Sequence, residues 1–135
     1  QELFEKADAL GGLDSNEYLD ALAECKKGAR DDGIDRVLKA NRLDALIAPT
    51  GGPAWLIDPV NGDHVGASFS TPAAVAGYPH LTVPAGLASG LPIGVSFVGP
   101  AWSEERLLAY GHAYEQATRL RSEPTYRKVT TPQDS

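Results

Sequence analysis

Leu3, Phe4, Ala7 and Leu10 recur at spacings of three and four until Gly11-Gly12 interrupts them, which predicts a short amphipathic helix. A second helix restarts in "LDSNEYLDALAECKKGARDDG". Asp14 or Ser15 caps it, Glu17 sits in its first turn, and Leu19, Leu22 and Ala23 form its stripe. Gly33 marks a break, after which Ile34, Val37 and Leu38 continue an apolar face that ends near Asn41. "ALIA", residues 45–48, is unalternated and apolar, as in a strand covered on both faces and cut off by Pro49. A long loop, "GGPAWLIDPVNGDHVG", follows, dense in Gly, Pro and Asn-Gly. "STPAAVAG" predicts a short helix with Pro72 in its first turn and Gly77 at its end. "HLTVPAG" and "LPIGVSFVGP" are strands joined by "LASG" in a hairpin. The last helix opens at Ser103 as cap, with Glu104 and Glu105 in its first turn and Leu107, Leu108, Ala113, Tyr114 and Ala117 as its stripe. The pattern is that of an α/β chain with a polar tail over residues 122–135.

Composition narrows the class. At 135 residues the chain is one domain's worth and can build a core without disulfides or metal. A hydrophobic share of 42% with 14 Gly and 10 Pro describes a globular chain with many turns. No apolar run approaches the roughly 18–20 residues that span a membrane. A formal charge of −6, with 12 scattered Lys and Arg, argues against a nucleic-acid surface, which needs clustered cations to neutralise phosphates. Cys25 stands alone and reads as a structural thiol; together with the absence of a secretory signal in "QELFEKADAL", it favours a reducing, cytoplasmic setting. The chain begins at Gln1 and contains no Met, from which the expectation is that Gln1 lies inside a longer polypeptide.

Candidate chemistry is sparse. Ser68 or Ser70 with His64 and Asp63, or with His80 or His112, could be written as a nucleophile and base, but no Gly-x-Ser-x-Gly elbow presents a serine. His80 and His112 read as satisfied structural histidines. Three separated His and one Cys, without HExxH or a Cys pair, give no metal-ligand set, and the Gly-rich loops lack the Gly-Lys-Ser/Thr ending of a phosphate cradle. No cofactor is called for. The Gly and Pro residues instead suggest closely routed backbone beside another surface.

Three stretches in order, "DALIAPTGGPAWLID", "STPAAVAGYPHLTVPAG" and "GLPIGVSFVGPAWSEERLLAYGHAYEQAT", closely resemble the C-terminal part of the amidase signature family. The resemblance covers about residues 35–120, and the long "PTGGPAWLID" loop looks most like peptide-amidase-like and related small-amide hydrolases. It implies a partial amidase-signature fold over residues 1–121, with strands of a mixed sheet flanked by helices, incomplete without the N-terminal catalytic region. Family members cleave amides through a Ser-cisSer-Lys acyl-enzyme centre, or use it to release ammonia from glutamine. No Gly-Ser-Ser-Gly-Gly-Ser-like stretch with a matching lysine occurs between Gln1 and Ser135, so no catalytic residue is assigned, and Ser68 and Ser70 do not match the triad serines. The resemblance implies that Thr50, Gly51, Gly52, Trp55, Ile57 and Asp58 line one wall of a pocket for a small amide substrate. Its implied partners are the N-terminal amidase region or a second copy bound at the exposed sheet edge. Two other readings stay open: a stand-alone binding or assembly module without the catalytic half, and a small hydrolase using Ser70 and His64.

Overall fold

A computed structural model describes residues 1–64, 66 and 68–126; the remainder of the expected polar tail, 127–135, lies outside the described residues. The helices are α1 (Glu2–Asp8), α2 (Asn16–Ala29), α3 (Asp35–Asn41), α4 (Ser70–Ala76) and α5 (Glu104–Thr118). The strands are β1 (Leu46–Pro49), β2 (His80–Ala88) and β3 (Leu91–Val98), in spatial order β1-β3-β2. Both pairings are antiparallel. The β2–β3 hairpin closes at Ser89-Gly90, where both residues have positive φ (52° and 79°), the backbone that a tight two-residue turn between twisted strands requires.

Alternation along β3 divides the sheet into two faces. Val95 and Phe97 face α5, where Phe97, Val83 and Leu107 form one buried cluster. Val98 faces the other helices and joins Ile34, Leu38, Ala73 and Ala76 in the second, with Leu46 and Phe69 packed against it. The sheet is therefore the shared wall of two small cores.

The expected breaks and caps are met in part. Ser15 Oγ accepts from the Tyr18 N–H at 3.3 Å and caps α2. Arg30–Ile34 forms a π-helical turn in which Gly33 leaves helical geometry (φ −103°, ψ −108°), and Gly77 ends α4 in the left-handed region. Ser103 does not cap α5; its hydroxyl donates to the Pro100 carbonyl at 2.7 Å, closing the turn before the helix.

β1 is not covered on both faces. It runs along the sheet edge with Ile47 60% exposed, and it includes Pro49 instead of stopping before it, because an edge strand needs no N–H on its outer side. The α5 stripe is also rotated from expectation. Leu107 and Gly111 are buried, with Tyr110, Tyr114 and Thr118 half-buried, whereas Leu108, Ala113 and Ala117 are exposed. On α2 only Leu22 of the expected stripe is half-buried, and α1 leaves Leu3 and Phe4 exposed.

Arg30 ties the π-turn to α4. Its Nε donates to the Ala76 carbonyl at 2.6 Å, at the helix end that favours a cation, and its guanidinium lies 5.4 Å from the Tyr78 ring centre. Tyr78 donates its hydroxyl to Asp35 Oδ2 at 2.9 Å. Burial, reinforced by the Asp35 hydrogen bond and charge and opposed by Arg30, raises the Tyr78 pKa above its ordinary value of 10.0. The unfolded tyrosine ionises first, so this contribution is fully present below about pH 10 and is lost as the pH rises through the raised folded value. Urea midpoints followed from about pH 9 to about pH 11 are expected to fall less steeply for Tyr78→Phe than for wild type.

Candidate functional site

The residues expected to line a pocket fall into two groups. Thr50 and Gly51 stand at the end of β1. The Thr50 N–H donates to the Gly94 carbonyl at 2.9 Å, and its own carbonyl accepts from the Phe69 N–H at 3.1 Å. Gly51 forms an isolated antiparallel bridge with Ser68. The long loop is thus pinched shut at its base, with its entry and exit side by side.

Trp55 and Asp58 belong to the outer part of that loop. Asp58 Oδ1 accepts from the Val60 and Asn61 N–H groups at 2.9 Å each, and Oδ2 accepts from the Asn61 side-chain amide at 2.9 Å. These bonds, those from Asn61 foremost, hold the Asp58 carboxyl below its ordinary pKa. Asp58 is therefore a turn-former by geometry, with the His64 ring 3.7 Å from Oδ2 at the margin. Trp55 is 45% exposed and donates its indole N–H to Asp63 Oδ1 at 3.3 Å across the turn. Ile57 is 87% exposed, and among the described residues beyond its chain neighbours Gly52 has no heavy atom within 4 Å of where a Cβ would stand.

The serines of the alternative hydrolase reading meet each other. Ser68 Oγ and Ser70 Oγ lie 3.0 Å apart, and Ser68 Oγ also accepts from the Ser70 N–H at 3.4 Å, while His64 is placed beside Asp58. Among the described residues no three acidic, His or Cys side chains gather as a metal-ligand cluster. No helix is long and apolar enough to cross a membrane, again among the described residues.

A polar cluster that the sequence reading missed lies on the same sheet face as Thr50. Ser96 Oγ is 2.7 Å from Thr50 Oγ1, 2.6 Å from His80 Nε2 and 3.3 Å from Thr82 Oγ1. His80 and Thr82 are two apart on β2, the spacing that places strand residues on one face, and that was the only signal for it in the sequence. Beside this cluster an apolar hollow of about 180 Å³ is lined by Ile34, Leu46, Phe69, Pro72, Ala73 and Val98.

Comparison with known proteins connects this arrangement to a family. The family model described as Amidase matches residues 4–108. A probable amidase of Arabidopsis thaliana is 35% identical over 127 residues, which is 93% of this chain and 21% of that protein. A glutamyl-tRNA(Gln) amidotransferase component of Pseudomonas entomophila is 39% identical over 89 residues, 62% of this chain and 18% of that protein. Among solved structures, native peptide amidase from Stenotrophomonas maltophilia superposes with a TM-score of 0.84 at 48% identity, covering 95% of this chain and 26% of that enzyme. The chain thus spans about a fifth to a quarter of the length of these relatives. Since the match runs through the pinched loop, the hairpin and the start of α5 alike, the chain belongs to the amidase signature family.

Proposed function

We propose that this chain is the C-terminal part of an amide C–N hydrolase, in which it supplies sheet strands and one wall of the substrate pocket while an N-terminal region supplies the reacting groups. The likeness to peptide amidase, at 48% identity over 95% of the chain, is the observation that carries this reading. In it residues 1–121 complete the amidase domain and 122–135 form its tail. Thr50, Gly51, Gly52, Trp55, Ile57 and Asp58 line the wall for a small amide substrate. The Ser-cisSer-Lys centre stands opposite, where a neutral lysine draws the nucleophile's proton through the bridging serine. The serine oxygen then bonds to the amide carbon, the C–N bond breaks as the nitrogen takes the proton, and water releases the acid from the acyl-enzyme. The exposed edge of β1 is where further strands would join, in competition with a second copy of this chain.

The test is a chimera in which this chain replaces the corresponding quarter of the S. maltophilia peptide amidase. The chimera is expected to hydrolyse a peptide amide with kcat/KM within about a hundredfold of the parent, or about 3 kcal/mol in transition-state binding, while the 135-residue chain alone shows no turnover. A folded chimera without turnover rejects the reading. Saturable binding by the isolated chain, weakened by Trp55→Ala, would instead favour a stand-alone binding module.

A further inference from the structure

Ser96 is the one fully buried polar residue of the described core, at 0% exposure in the middle of β3. Packing alone would be served there by alanine or valine, and a buried hydroxyl is costly unless it is hydrogen-bonded. It is fully bonded, with partners at 2.6, 2.7 and 3.3 Å contributed by β2 and by the residue that follows β1. A hydroxyl has one proton and two acceptor sites, so three partners saturate it.

With one proton on each hydroxyl, the directions of these bonds follow. Thr50 Oγ1 donates to Thr82 Oγ1 at 3.3 Å, so it must accept from Ser96. Ser96 then accepts from Thr82 and from His80, which requires the proton on His80 Nε2. The three hydroxyls form a closed ring with His80 feeding into it. Gly94 is fitted to the same ring: a Cβ there would stand 2.7 Å from Thr82 Cγ2 and 2.9 Å from Thr50 Oγ1. The ring also reaches the loop exit, because the Phe69 ring meets His80 edge-on at 6.4 Å between centres.

Thr50 is where this matters. Its backbone holds Gly94 on one side and Phe69 on the other, so fixing its side chain fixes both ends of the 51–68 loop. We infer that Ser96 and His80 are positioning residues for that loop, setting its height above the sheet by holding Thr50. The consequence for substrate rests on the loop being a pocket wall, as proposed above; the positioning itself does not.

Residue-resolved amide hydrogen exchange on the ¹⁵N-labelled 135-residue chain tests it. In wild type the Thr50 and Phe69 amides are expected to be protected, and the His80 ring nitrogens to show the Nε2–H form. Ser96→Ala and Thr50→Val are expected to speed exchange at Thr50 and Phe69 about fivefold to tenfold, with Val83 and Leu107 changed less than about twofold. Thr50→Ser, which keeps the hydroxyl, restores the wild-type rates. Unprotected Thr50 and Phe69 amides in wild type, no change in Thr50→Val, or an equal rise at Val83 and Leu107 each overturn the inference. In the chimera, Ser96→Ala is expected to raise KM several-fold with kcat within about twofold. An inactive chimera with the exchange pattern intact would reject the amidase reading and uphold the positioning; an active chimera without the local exchange effect would do the reverse.

Discussion

Leu107→Ala is expected to lower the free energy of unfolding by about 3 kcal/mol, within the range for large-to-small changes at buried sites. Leu107 is 1% exposed and sits between α5 and the sheet, packed with Val83 and Phe97. The truncation removes the methyl groups that fill this seam, and Leu81, Val95, Tyr110 and Tyr114, which pack around the cluster, are already engaged there. Leu108, its neighbour on the same helix, is 60% exposed, and Leu108→Ala should stay within about 0.5 kcal/mol of wild type. Urea unfolding decides between them: a lower midpoint with unchanged slope for Leu107→Ala alone is the expected result. Equal effects would mean that α5 is seated on a different face.

Gly111→Val is expected to cost about 2–3 kcal/mol through overpacking. A Cβ at Gly111 would lie 2.5 Å from Leu81 Cδ2 and 3.2 Å from Val83 Cγ1, because α5 approaches β2 closely at this turn. A β-branched side chain adds two methyl groups on a Cβ that already stands against the strand, so the helix is expected to lift and the Phe97–Tyr114 edge contact to open. Gly111→Ala separates two effects. The helix gains up to about 1 kcal/mol in propensity, and the nearest obstacle is the movable tip of Leu81, so alanine should end within about 1 kcal/mol of wild type. Thermal unfolding of the two variants checks the order.

These two residues also show where sequence reading succeeds and where it stops. Element order, the hairpin and the break at Gly33 were legible because Gly, Pro and period-two patterns act locally. The buried face of α5 was not, because Gly111 and Thr118 do not count as hydrophobic while Leu108, Ala113 and Ala117 do; which side of a helix is covered depends on what approaches it. β1 looked like a strand buried on both faces because its composition suits a sheet interior, yet among the described residues only β3 flanks it. In the candidate site, Thr50 and Gly51 were readable as part of a Gly-Pro loop. Their link to Ser96 was not, since the partners in that ring are separated by 14 to 46 residues and meet only through strand register.

The Gly51–Ser68 bridge has a consequence for change over time. Because the loop's two ends are fastened to each other, and its entry at Thr50 to β3, residues added or removed between them leave the register of the sheet in place. The entropic cost of a longer closed segment grows only with the logarithm of its length, about 0.6 kcal/mol for each doubling. The 52–67 stretch can therefore be exchanged as a cassette, and new side chains can be tried there while the two cores beneath keep their packing.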